Sequence, residues 1–102
     1  MAFGINKREL ENWKQQAQKE EIALITHFWY DPKFPHYHSV TKAANSNVNK
    51  LAEWGLQYGL KPEWIHHRDP FPHFDLLGEK QVQVLKEEGK YSQIERFCLN
   101  LK

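Results

Sequence analysis

The sequence predicts an α+β domain in which helices pack on a small sheet of two to three strands. Apolar residues recur at spacings of three and four in separate stretches near both ends and in the centre. The β-branched and aromatic runs are few and short. The strand–helix alternation of a parallel sheet is absent, as is any glycine-rich phosphate loop. With 102 residues, the chain is expected to form one domain over 1–102.

The first helix has a defined start. Asn6 stands at the capping position, Glu9 three residues later can reach back to it, and Ile5 and Leu10 sit where a hydrophobic staple needs them. Leu10, Trp13 and Ala17 form its apolar stripe. Ile22 to Tyr30 then reads as a strand apolar on both faces, and therefore central. Asp31-Pro32-Lys33-Phe34-Pro35 must be a loop, because each proline lacks an N–H and resists helix. A second strand is expected over His36 to Ala43, with His36, His38 and Val40 on one face.

Asn45 or Ser46 can cap the next helix, whose buried stripe is Val48, Leu51, Ala52, Gly55 and Tyr58. Gly59 suits the left-handed position after it, and Pro62 fits the first position of a short helix through His66. A rigid Asp69-Pro70-Phe71-Pro72 loop follows, echoing the first Asp-Pro loop, which also ends Phe-Pro-His. His73 to Leu77 is a third strand or the run-in to a helix. Glu79 to Glu88 is helical. Ser92 and Glu95 form a second capping box, opening a helix with Ile94, Phe97, Cys98 and Leu101 on one face. Trp29 or Trp54 is expected in the core, and Tyr37 and Trp64 at a contact surface.

Composition narrows the function. Fourteen Lys+Arg against thirteen Asp+Glu give a net charge of +1, far from the dense positive charge behind strong sequence-independent nucleic-acid binding. One cysteine excludes an intrachain disulfide and points to a reducing, cytoplasmic setting. No apolar run approaches the roughly 20 residues of a membrane helix, and the opening Met1 to Lys7 has no apolar signal core.

All six histidines fall between positions 27 and 73, together with the non-helical segments, so the chemistry is expected in this middle region. One arrangement is a divalent-metal site drawn from His27, His36, His38, His73 and Asp75, mixing imidazole and carboxylate as zinc, manganese or iron sites do. Such a metal could activate water in a small hydrolase or nuclease. Another is a pocket for a nucleotide or other anion: Trp29, Tyr30, Phe34 and Tyr37 could stack a base while Lys33, Lys42, Ser39 and Thr41 hold phosphate. A hydroxyl–His–Asp relay from Thr26, His27, Ser39, Thr41, Asp31 and Asp75 has the residue types but no supporting elbow motif. Cys98 reads as inert core.

Four segments carry a family resemblance: IALITHFW over 22–29, SVTK over 39–42, LAEWGLQYGLKPEWI over 51–65 and PHFDLLG over 72–78. They resemble the YneQ-like small proteins of Bacillus along nearly the whole chain. A looser similarity runs to short bacterial and phage proteins of unknown function, through Gly59-Leu60 and His73-Phe74-Asp75-Leu76. The resemblance implies a small stand-alone cytoplasmic protein and supplies no activity. It directs attention to Thr26, His27, Ser39, Thr41, His73 and Asp75 as the polar residues inside the matching segments. The expectation is a non-catalytic module for a small ligand, with Thr26, His27, Lys33, Tyr37, Ser39, Thr41, Lys42, His73 and Asp75 as its contacts. A metal-dependent hydrolase and a protein–protein adaptor or homodimer stand as alternatives.

Overall fold

The computed structural model of the chain describes residues 4–68 and 71–99. Asn6 starts the first helix, α1 (Lys7–Gln18), through the capping box the spacing predicts. Its side chain accepts from the Glu9 N–H at 2.8 Å, and the Glu9 carboxylate accepts from the Asn6 N–H at 3.1 Å. Strands β1 (Ala23–Phe28) and β2 (Ser39–Ala44) follow, then helix α2 (Val48–Leu56), a 3-10 turn over Pro62–Trp64, strand β3 (His73–Leu76), and helices α3 (Gly78–Glu87) and α4 (Tyr91–Arg96).

The sheet is antiparallel with order β1-β2-β3, so β2 and not β1 is the central strand. The prediction that β1 is buried on both faces is right, but its centrality does not follow from it. Helices cover both sides of this edge strand, and Gln93 of α4 closes its rim by donating Nε2–H to the Leu24 carbonyl at 3.1 Å. The third strand forms at His73, as the first of the two readings has it.

Register fixes which side chains share a face. Leu24, Thr26, Ser39, Thr41, Ala43, Phe74 and Leu76 point one way; Ala23, Ile25, His27, Val40, Lys42, Ala44, His73 and Asp75 point the other. The first face packs against α2, the 3-10 segment and α3 through Leu51, Tyr58, Leu60, Ile65 and Val84. The second receives α1, with Trp13 and Ala17 on Ala23, Ile25 and Ala44. Trp13 is therefore the buried tryptophan, anchored by its indole N–H to the Ala23 carbonyl at 3.0 Å, while Trp29 and Trp54 are half-buried. Ile5 and Leu10 both join this second cluster, as the staple requires.

Other boundaries moved for local reasons. β2 begins at Ser39 because consecutive turns, Phe34 N–H to Asp31 O and Tyr37 N–H to Phe34 O, hold residues 34–37 out of the ladder. Asn47 caps α2, accepting from the Asn49 and Lys50 N–H groups, while Asn45 makes the preceding Asx turn by accepting from the Asn47 N–H. Gly59 takes the predicted left-handed conformation, φ +73°, and the Leu60 N–H closes back on the Gly55 carbonyl at 2.9 Å. The second capping box is not formed: α4 starts at Tyr91, placing Ser92 inside its first turn. Cys98 lies beyond the end of α4, exposed at φ +53°, and not in the core. Asp69 and Pro70 of the second Asp-Pro loop, Met1 to Phe3, and Leu101 lie outside the described residues.

A directional hydrogen-bond chain ties both C-terminal helices to the sheet. Gln81 of α3 donates Nε2–H to Thr41 Oγ1 at 3.0 Å and to Ser39 Oγ at 3.2 Å. Thr41 and Thr26 share a bond at 2.6 Å across the β1–β2 pair, and Thr26 donates onward to Gln93 Oε1 at 2.7 Å. Because Thr26 spends its one proton on Gln93, Thr41 is the donor to Thr26. Replacing Thr26 with Val strands the Thr41 donor and the Gln93 acceptor, and should lower unfolding free energy by about 1–3 kcal/mol in urea titrations. Gly55→Ala should cost a similar ~1–3 kcal/mol by overpacking. A Cβ there would lie 2.8 Å from the Phe74 ring and 3.2 Å from the Leu60 Cβ, both core groups with no room to yield.

Candidate functional site

Sheet register separates the polar residues that the sequence groups together. Thr26, Ser39 and Thr41 lie on the α3 side, buried and committed to the hydrogen-bond chain. His27, Lys42, His73 and Asp75 lie on the α1 side. The hydroxyl–His–Asp relay is thus not assembled: a layer of backbone separates hydroxyl from imidazole. The nine expected ligand contacts likewise do not meet in one hollow. Lys33 is exposed in the loop, where its N–H donates to the Asp31 side chain, and Lys42 sits on the opposite face of the sheet from Ser39 and Thr41.

The metal set does not assemble either, for reasons of distance and not of face. His36 and His38 lie exposed in the loop before β2, outside the ladder, so strand alternation does not align them. His27 and His73 share a face but stand two strands and four register positions apart, roughly 16 Å by ordinary sheet spacing. Among the described residues, no three His, Cys, Asp or Glu side chains are placed to hold a metal ion.

A smaller polar cluster does form at the β3 edge, with a member the sequence reading passed over. His66 and His73 exchange both backbone hydrogen bonds, at 2.8 and 3.0 Å, adding a one-residue bridge beside β3. Antiparallel partners share a face, so their rings stack with centroids 5.4 Å apart. Asp75, two residues along β3, joins them: Oδ2 lies 3.3 Å from His66 Nε2, and Oδ1 lies 3.6 Å from His73 Nε2. No local pattern marks His66. Its role follows from a bridge formed by residues seven apart.

Both buried imidazoles are fixed by backbone. His27 donates Nδ1–H to the Phe28 carbonyl at 2.9 Å, and His73 donates Nδ1–H to the Phe71 carbonyl at 3.0 Å. Burial pushes the pKa of each below the ordinary imidazole value; for His73 it outweighs the opposing pull of the Phe71 carbonyl and Asp75.

Two concavities flank these features. A wide groove of about 1370 Å³ runs between the 36–39 segment and α3, reaching Tyr91 and Leu99. Ser39 and Gln81, both buried, reach its floor, and Tyr37 stands on its wall. The Tyr37 ring stacks on Phe34 at 6.1 Å, and Phe34 in turn meets Trp29 at 6.2 Å. Gly78, at φ +59°, lets this ring approach the start of α3, since a Cβ there would lie 3.1 Å from it. The second concavity, about 430 Å³, lies at the β3 edge among Leu60, Trp64, Ile65, Phe74, Glu63, His66 and Asp75. Trp64 is half exposed.

The fold and these surfaces define a small α+β protein, helices on both faces of a three-stranded antiparallel sheet. The chain belongs to the YneQ family. It is 50% identical over 99 residues to the uncharacterized protein YneQ of Bacillus subtilis (strain 168), covering 97% of this chain and all of that one. No family model and no solved structure matches the chain. Among the described residues, no helix is long and apolar enough to cross a membrane.

The two imidazoles make stability depend on pH. As pH falls, the unfolded chain takes up these protons first, near the ordinary value of about 6.5, while burial holds His27 and His73 neutral in the fold. Stability is therefore full above that range and declines below it. Urea midpoints should fall between about pH 7.5 and about pH 5, and His27→Gln should flatten the decline by removing one of the two groups.

Proposed function

We propose that the protein is a non-catalytic binding module for a small planar ligand, a nucleobase or nucleoside, held in the groove between the 36–39 segment and α3. The observation that carries this reading is the pairing of an aromatic wall with a polar floor. Tyr37 stands on the wall, its ring paired with that of Phe34, while the Ser39 hydroxyl and the Gln81 amide reach the floor. Gln81 spends its Nε2–H group on Ser39 and Thr41, and Ser39 Oγ receives one of these bonds. That leaves the Ser39 O–H as a donor and the Gln81 carbonyl as an acceptor beside it. A heterocycle stacked on Tyr37 can present a matching acceptor and donor along one edge.

Charge around the groove favours an uncharged ligand over the anion expected from Lys33, Lys42, Ser39 and Thr41 in the sequence. Glu79 and Glu87 line it against one lysine, Lys86, with His36 and His38 on either side of Tyr37, and neither Lys33 nor Lys42 is part of it. A phosphate would face two carboxylates there. Of the hydroxyls in a hydroxyl–His–Asp relay, Thr26 spends its proton on Gln93 and Thr41 on Thr26, and none shares a sheet face with His27 or Asp75, which supports binding over catalysis.

Thermal-shift titration against the common nucleosides tests this. At about one hundred times its dissociation constant the right ligand should stabilise the fold by about 2.7 kcal/mol. Tyr37→Ala should weaken binding about fivefold or more, since stacking on one ring contributes about 1–3 kcal/mol. Absence of any stabilisation, together with unchanged Ser39 and Gln81 NMR resonances, would overturn the reading.

A further inference from the structure

The concavity at the β3 edge lies apart from this groove and shares no lining residue with it. We infer that it is a binding site for a small organic cation, an alkylated ammonium. Its apolar walls are Leu60, Ile65, Phe74 and the half-exposed Trp64 indole, and its charged members are the carboxylates Glu63 and Asp75. No lysine or arginine lines it. Two carboxylates beside an aromatic face form an environment that attracts an alkylated ammonium. The ring quadrupole and the carboxylates attract its charge, and the apolar walls accept its methyl groups.

The protein's own side chains illustrate the attraction. The Lys61 ammonium lies over the Trp64 ring, 5.6 Å from its centroid, so this π-system already engages a cation without that lysine forming part of the cavity wall. The site is also held in place before any ligand arrives. The Trp64 N–H bonds the Lys61 carbonyl at 2.9 Å and the Ile65 N–H bonds the Pro62 carbonyl at 3.1 Å, fixing the turn that carries Glu63 and Trp64. Asp75 is fixed at the other side by its place in β3, with His66 Nε2 3.3 Å from its Oδ2 and His66 itself contributing to the lining. A volume of about 430 Å³ falls within the range of small-molecule pockets and exceeds what a methylated ammonium needs.

Choline and its neutral isostere 3,3-dimethyl-1-butanol distinguish charge recognition from simple apolar filling. In NMR titrations at matched ionic strength, choline should shift the Trp64 indole N–H resonance, identified by its loss in Trp64→Phe, with saturation. The isostere should bind at least about tenfold more weakly, a difference of about 1.4 kcal/mol. Asp75→Asn should weaken choline binding severalfold. Glu63→Gln, at an exposed position remote from the core, should do the same if Asp75→Asn perturbs the fold. Equal binding of choline and isostere, failure of choline to move the Trp64 resonance, or full affinity in a folded Glu63→Gln, Asp75→Asn double variant would overturn the inference. Nucleoside binding at Tyr37 is read from separate resonances, so either result leaves the other standing.

Discussion

The bond between the Thr26 and Thr41 hydroxyls, 2.6 Å long and fully buried, is the constraint from which the rest of the arrangement follows. Two buried hydroxyls on the packed face of a sheet are costly unless each finds partners. They find each other across the β1–β2 ladder, and their remaining capacity is taken by glutamines from two different helices. The need to satisfy this pair therefore brings α3 and α4 to the same side of the sheet and sets their position along it. Gln93 also occupies the Leu24 carbonyl, which protects an edge strand that would otherwise present open backbone.

Committing that face to structure leaves the polar residues of the other face as an independent set. There α1 covers only part of the sheet, at Ala23, Ile25 and Ala44, where small side chains let Trp13 and Ala17 approach. Beyond that contact the strands carry Lys42, His73 and Asp75, and the bridge to His66 extends the polar surface past the edge of β3. The division of labour is physical. Hydroxyls short enough to pair within the sheet point inward to α3 and α4, while the ionisable side chains share the α1 face, where His27 and His73 are buried and Asp75 reaches solvent.

Much of the fold was legible in local pattern, because caps, stops and stripes act over a few residues. The Asn6–Glu9 capping box, the left-handed Gly59 and the buried faces of α1 and α2 depend on neighbours no more than five positions away. The inference of a central β1 failed because burial on two faces has two causes, flanking strands or flanking helices, and periodicity cannot separate them. The candidate site was legible in parts. His73, Asp75, Tyr37 and Trp64 stand out by residue type, but grouping them into one hollow assumed that nearness in sequence means a shared face. Strand alternation contradicts that directly for Thr26 and His27, which are adjacent in the chain and point to opposite sides.

By itself, then, the sequence determined the α+β class, the capped start of α1, the left-handed stop after α2, the family and the residue types available for binding, since each is encoded in short-range preferences or in identity along the chain. Only the tertiary structure decided the strand order, the split of the polar residues between two faces, the stacking of His66 on His73 and the two concavities. These depend on register between segments far apart in the chain, and register is set by which long-range partners satisfy buried hydrogen-bonding groups, a condition that local sequence does not specify.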